Sequence, residues 1–419
     1  MSHETGMKKE VLAIVVGGGP APGINGVISA ATIEAVNEGK EVIGIVGGFK
    51  SLFAGDKKCA VPLSIDDVSR IHTTGGSILR TSRDTMDVAR KGFPALQQML
   101  RALKVRYLIT IGGDGTAFMA RWIELESRGR LSVVHVPKTI DNDLLLPGGR
   151  SSFGYHTARH WGVEIVKNIM EDARTTGRWY FITTMGRNAG HLALGIGKAA
   201  GVTVTLIPEE FTGEPIHFQK ITDILEGSII KRLAMGKDHG VVVLAEGIAA
   251  KVDEQELRAC EDIKCDELGR MRLSEIQLGR IISDNVRNSL EARGIKMTIV
   301  HKTIGYELRA ADPIPYDIEY TRDLGYGAVR FLLNGGTGAM ITLDEGRLRP
   351  VSFVEMVDPE TGKTRVRLVD IKAEAYEVGR KYMIRLEKED FAPGTIEKLA
   401  KTAGMSIPDF TKRFSYIAE

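Results

Sequence analysis

Two carboxylates one residue apart, Asp141 and Asp143, stand just behind Lys138 and Thr139 in the run Val136-Pro137-Lys138-Thr139-Ile140-Asp141-Asn142-Asp143-Leu144. Together these supply a general base, a cation for a phosphate and an orienting hydroxyl. Upstream, Gly112, Gly113 and Gly115 surround Asp114, and Thr116 follows. Glycines let backbone N–H groups approach a phosphate closely, while the Asp114 carboxylate can hold a magnesium ion that neutralises it. Further on, Met185-Gly186-Arg187-Asn188-Ala189-Gly190 presents an arginine between glycines, and such a group with backbone donors could clamp a phosphoryl group in transit. Phosphoryl transfer needs this set of groups.

The elements that must carry these residues are short apolar runs of the kind that fit strands buried on both faces. Residues 108–111 and 133–136 are two of them, and each opens into small and acidic residues. In an open α/β sheet ligands sit outside the carboxyl ends of the strands, so these loops are where chemistry belongs. Residues 11–16 form another such run and empty into Gly17-Gly18-Gly19-Pro20-Ala21-Pro22-Gly23, with a helix expected from near Gly26. A glycine-rich helix N-terminus is an anion site by geometry and by dipole, although no Gly-Lys-Ser/Thr follows to make a Walker loop. A strand at 41–46, the turn Gly75-Gly76 with Arg80 and Arg83 beyond it, and helices at 94–102 and 117–127 complete a strand–helix alternation. That alternation predicts a doubly wound parallel sheet.

The second half repeats the theme. A long helix is expected to about residue 173, then strands near 178–184, 202–207 and 240–245. Glu209 falls at the carboxyl end of one of them, a place suited to sugar hydroxyls. Residues 251–272 are charged and read as surface helix plus turn, 274–293 as an amphipathic helix, 317–333 as a helix, 339–343 as a strand and 349–369 as strand-rich. His156 and His160 share a helix face, yet no third ligand is nearby and Thr157 stands where a zinc-protease helix needs glutamate, so no metal is expected there.

At 419 residues the chain can bury two substantial cores. A composition of 43% hydrophobic and 26% charged residues is that of a soluble globular protein, and a net charge of +2 gives no reason to expect a nucleic-acid or membrane partner. No apolar run reaches the ~20 residues that span a bilayer, and the polar first ten residues do not make a signal peptide. Cys59, Cys260 and Cys265 lack metal-ligand spacing and suit a reducing cytoplasm.

The blocks Gly112-Gly113-Asp114-Gly115-Thr116, Pro137-Lys138-Thr139-Ile140-Asp141-Asn142-Asp143 and Met185-Gly186-Arg187-Asn188-Ala189-Gly190, in this order, resemble the signature of the 6-phosphofructokinase family. Diacylglycerol and NAD kinases share only a loop like the first. Matches extend from about residue 11 to about 329, and the C-terminal stretch adds nothing specific. The resemblance implies an α/β fold of two Rossmann-like, doubly wound domains with the active site between them. Residues 1–152 plus 308–355 would form the phosphoryl-donor domain, and 153–307 plus 356–419 the sugar-phosphate domain. The implied reaction is magnesium-dependent phosphorylation of the 1-hydroxyl of fructose 6-phosphate, giving fructose 1,6-bisphosphate in glycolysis. Asp141 would accept the hydroxyl proton, Asp143 would shape the local field, Asp114 would hold magnesium and Arg187 would stabilise the transferred group. Gly19, Arg83, Gly113, Gly115, Thr116 and Lys138 would line the donor, although Pro20 stands where many relatives have aspartate and Arg80 where most have glycine. Thr139, Met185, Gly186, Glu209, Tyr306 and Arg309 would meet the sugar phosphate, Tyr306 standing where many bacterial ATP enzymes have histidine and Arg309 gripping the 6-phosphate. A non-catalytic regulatory relative would be expected to lose the acidic residues retained here.

Family members are homo-oligomers, so a homodimer or homotetramer is expected. In the family an arginine at the position of Arg178 reaches the neighbouring subunit's site, while shortly before Tyr306, where a second such basic group is expected, residues 297–304 offer His301 and Lys302 rather than arginine. The donor is contested by two positions. Gly115 leaves room for a nucleotide α-phosphate where pyrophosphate enzymes carry aspartate, whereas Lys138 matches pyrophosphate enzymes and stands where the common bacterial ATP enzymes have glycine. Weighting the steric opening more favours ATP, with a pyrophosphate-dependent enzyme as the alternative.

Overall fold

Residues 10–213, 215–260, 276–357 and 364–418 are described in the computed structural model. In chain order the strands are β1 (Val11–Val16), β2 (Glu41–Ile45), β3 (Ala60–Pro62), β4 (Val105–Gly112), β5 (Ser132–Thr139), β6 (Phe153–Gly154), β7 (Trp179–Thr184), β8 (Val204–Leu206), β9 (Gly240–Ala245), β10 (Ile299–Ile304), β11 (Ala339–Asp344) and β12 (Arg347–Ser352). The chain gathers into two units, residues 1–158 with 306–367 and residues 159–305 with 368–419. The crossings differ from the expected 152, 307 and 355. The last comes late because the segment before it bonds back into the first unit, Arg365 N–H to Met356 O at 3.1 Å and Arg367 N–H to Asp143 O at 2.8 Å.

In the first unit the sheet order is β12-β11-β5-β4-β1-β2-β3, with β6 added to β5. Strands β2, β1, β4, β5 and β11 run parallel, and β3 and β12 are antiparallel at the two edges. Period-two alternation splits β1 between two cores. Val11, Ala13 and Val15 join Phe49, Leu52, Leu96 and Ile123. Leu12, Ile14 and Val16 join Ile24, Val27, Tyr320 and Leu324 on the other face. Covering on both faces is why the strand is apolar without interruption.

The second unit is a four-stranded parallel sheet, β10-β7-β9-β8. Its core unites Trp179, Phe181, Val242 and Leu244 with the helices Phe218–Ala234 and Leu278–Glu291. Leu386, Leu399, Phe410 and Phe414 belong to the same core. The C-terminal stretch, which carries no motif, is therefore part of this unit's interior. Charge ties it down as well, through Arg413 to Glu226 at 2.8 Å and Lys231 to Asp390 at 2.6 Å.

Several elements exceed the apolar runs that announce them. Strand β5 continues through Pro137, Lys138 and Thr139 because β6 pairs with its end, Lys138 opposite Phe153 and Thr139 opposite Gly154. Helix Asp114–Ser127 starts three residues before the expected Ala117, so Asp114 lies in its first turn. Helix Met86–Ala102 begins at its Thr85 cap and carries Pro94 inside, where the proline suggested a start. Among the described residues the expected strands over 349–369 reduce to β12 and isolated bridges, Val357 with Thr364 and Leu144 with Val366. Cys265 and most of the charged 251–272 segment lie outside the described residues. Among the described residues no helix is long and apolar enough to cross a membrane.

Candidate active site

In the first unit the glycine loop after β1 is drawn against two others. Gly17 N–H donates to Ile111 O at 2.8 Å and Gly18 N–H to Ser82 O at 2.8 Å, while the Thr81 hydroxyl donates to Gly18 O at 2.7 Å. Thr116 is buried, and its hydroxyl would lie 2.6 Å from a Cβ added at Gly17, so this threonine fills the space that the glycine leaves. Its place is inside the loop, holding donor-side glycines in contact.

Three cations converge on Gly18 and Gly19. A Cβ at Gly19 would lie 3.0 Å from Arg309 Nη1 and 3.4 Å from Arg83 Nη2, and one at Gly18 would lie 3.5 Å from Lys138 Nζ. Lys138 is buried and donates to Gly19 O. Burial pushes its ammonium down to about 8, aided by the Arg83 charge, with Asp141 acting the other way. Like charges gathered on a glycine backbone repel one another, and an anion placed among them relieves both repulsion and desolvation. Arg309, expected on the sugar phosphate, is thus placed at the donor loop, with its guanidinium stacked 4.6 Å over the ring of the exposed Tyr306. Arg80 adopts φ 57°, the left-handed conformation that explains glycine's suitability at that position.

Asp114 is exposed in the first turn of its helix, after the N-cap Gly113. Gly115 beside it has nothing within 4 Å of an added Cβ, so the opening expected there is present. Among the described residues no group of three or more His, Cys, Asp or Glu side chains could hold a metal. One carboxylate at a phosphate site nevertheless fits magnesium, which takes most of its ligands from substrate oxygens and water. His156 packs edge-on against Tyr316 at 4.4 Å.

The loop after β5 is organised by its own side chains. Asp141 N–H donates to the Thr139 hydroxyl at 3.1 Å, and that hydroxyl donates to Asp143 Oδ1 at 3.0 Å. Thr139 thus holds the two aspartates in register. Between them Asn142 is buried at φ 57°, and its Oδ1 accepts Ser152 N–H at 3.2 Å. Ser152 Oγ closes the bracket on Thr139 O at 2.8 Å. Beneath, His135 is buried against Thr110 Oγ1 at 2.9 Å, and burial lowers its pKa to about 3, so it is neutral packing.

In the second unit the loop after β7 carries Met185, Gly186 and Arg187. Gly186 O accepts Gly247 N–H at 3.1 Å. Met185 lies against Gly305, where a Cβ would come within 2.7 Å of its Cγ. Arg187 is exposed and makes no ion pair among the described residues. Glu209 is buried, and its carboxylate accepts Gly190 N–H at 2.9 and 3.1 Å and Val369 N–H at 2.9 Å, so it anchors this loop. Next to it Glu210 pairs with the buried Arg385 at 2.6 Å. Val369, Arg385 and Arg367 carry no sequence signal, because their partners lie more than 150 residues away. Arg178 is half-buried just before β7, at the end opposite the Met185 loop.

Comparison with known proteins gives the family. The family model described as Phosphofructokinase matches residues 11–332. Over 98% of this chain and 99% of the relative, the sequence is 52% identical to a pyrophosphate–fructose 6-phosphate 1-phosphotransferase of Thermotoga maritima. A Naegleria fowleri protein of the same name is 48% identical over 97% of this chain and 96% of its own. An ATP-dependent 6-phosphofructokinase of Corynebacterium efficiens is 31% identical over 83% and 93%. The fold also matches phosphofructokinase from Saccharomyces cerevisiae, with a TM-score of 0.67 and 20% identity, covering 97% of this chain and half of that longer one. The chain belongs to the phosphofructokinase family, phosphotransferases with an alcohol group as acceptor.

Proposed function

We propose that this protein transfers a phosphoryl group from pyrophosphate to the 1-hydroxyl of fructose 6-phosphate, giving fructose 1,6-bisphosphate and orthophosphate. The observation that carries this reading is the buried ammonium of Lys138 with Arg83 and Arg309 around Gly18 and Gly19. A compact donor of high charge suits three convergent cations, and the relatives at 52% and 48% identity bear the pyrophosphate name. The preference for ATP drawn from Gly115 gives way. An open position permits an α-phosphate without demanding one, whereas a buried lysine needs a charge partner.

In the reaction the sugar O1 forms a bond to the transferred phosphorus as the bond from that phosphorus to the bridging oxygen breaks. Orthophosphate leaves with the electron pair, and the O1 proton passes to Asp141. Thr139 sets Asp141 by accepting its N–H and sets Asp143 by donating to it. Lys138 and Arg83 hold the leaving phosphate, and Arg187 stabilises the transferred group. Asp114 would hold magnesium, which would neutralise donor charge. The first unit takes the donor and carries Tyr306, and the second meets the sugar through Met185, Gly186 and Glu209. The reaction belongs in the cytoplasm, where an unpaired thiol such as that of Cys59 is at home.

Asp141→Asn is expected to lower kcat with pyrophosphate by on the order of 10²–10⁴ while the KM for either substrate changes little. Retained turnover would remove Asp141 from the role of base.

A further inference from the structure

The catalytic loop is fastened from outside the stretch that the family model matches. That match ends at residue 332, yet Val366 forms an antiparallel bridge to Leu144 and Arg367 N–H donates to Asp143 O at 2.8 Å. Arg367 Nη1 also donates to Arg150 O at 3.2 Å and to Asn142 Oδ1 at 3.4 Å. Asn142 sits between the two aspartates in a left-handed conformation, and the same oxygen receives Ser152 N–H. One acceptor on the residue separating Asp141 from Asp143 is therefore held from two sides, once by the local loop and once by the distant C-terminal segment. The guanidinium has lost water to reach this place, and burial lowers its pKa.

We propose that Arg367 is a positioning residue for phosphoryl transfer, fixing Asn142 so that Asp141 and Asp143 keep their reacting geometry. The inference rests on the reading of Asp141 as base. Arg367 bonds to the loop that carries the aspartates, at Asp143 O, Asn142 Oδ1 and Arg150 O, so its loss is expected to act on the chemical step more than on binding. A shift of about 1 Å in a reacting group costs roughly 100-fold in rate.

The test compares wild type, Arg367→Met, Arg367→Lys, Asn142→Ala and Asp141→Asn as full-length proteins, with pyrophosphate and fructose 6-phosphate varied separately and melting recorded for each. Arg367→Met should lower kcat by about 10- to 100-fold with both KM values within about twofold of wild type. Arg367→Lys should recover part of the loss, and the Asn142→Ala/Arg367→Met double variant should be little worse than either single one, since both remove the same contact. If Asp141→Asn is inactive while Arg367→Met turns over like wild type, the positioning role is overturned. If Asp141→Asn keeps wild-type turnover, the base assignment itself fails and takes this inference with it. If Arg367→Met does not fold, Asn142→Ala carries the decision, and an unchanged kcat there overturns the role.

Discussion

Lys138 holds more of the chemistry than its place at the end of a strand suggests. Its ammonium is buried and its pKa depressed to about 8, chiefly by desolvation. An anion bound beside it favours the charged form, so donor binding and protonation are linked. The sign follows directly. Below about pH 8 the lysine is already charged and pyrophosphate affinity is level; above it a proton must be taken up on binding, and affinity falls about tenfold per pH unit. The KM for pyrophosphate measured from pH 7 to 9.5 should show this rise in wild type and a shallower one in Lys138→Arg, whose guanidinium stays charged. Parallel curves would show that the Lys138 charge plays no part. His135, by contrast, is neutral at all these pH values and adds nothing to the profile.

At the level of elements, the strands and the loops at their carboxyl ends were legible because buried parallel strands leave unbroken apolar runs in the sequence. Val11–Val16 and Gly240–Ala245 are fully buried along their length. The neighbours that hold Glu209 and Arg309 were not legible. Glu209 stands after β8, where it is proposed to meet the sugar, and its carboxylate also accepts from Gly190 and Val369; nothing local announces a bond spanning 160 positions. Arg309 matched a motif whose assigned partner was a sugar phosphate, while its placement over Gly19 depends on how residues 306–367 fold back on the first unit. The Pro208–Glu210 turn illustrates the same dependence. Arg385 donates to Glu210 Oε2 at 2.6 Å and to Thr205 O at 2.7 Å, all within the second unit. Arg385→Met leaves Glu210 buried without its partner and should cost about 3–5 kcal/mol. Urea unfolding followed by circular dichroism checks this, and an unchanged midpoint would mean that the turn is held by packing alone.

At the scale of the whole molecule, Arg178 bears on assembly. It precedes β7, whose six residues separate it by roughly 20 Å from the Met185 loop at the strand's far end. It cannot join that loop in its own chain, which supports a role in a neighbour's site. Strand β10 is an edge of its sheet and leaves His301 and Lys302 exposed, a surface that a second copy could cover. If sites are shared in this way, Arg178→Ala should raise the KM for fructose 6-phosphate. Mixing and reassembling it with the inactive Asp141→Asn variant should restore activity above the sum of the two, because hybrids contain sites with both residues intact. No gain on mixing would mean that each chain is complete by itself. The central claim is the choice of donor, and its most direct measurement is kcat/KM with fructose 6-phosphate and magnesium for pyrophosphate and for ATP, side by side on the same preparation. The cation cluster around Gly18 and Gly19 predicts that pyrophosphate is preferred by on the order of 10²-fold or more, the scale set by buried charge contacts that only the matching donor satisfies. Equal use of the two donors, or a preference for ATP, would contradict it.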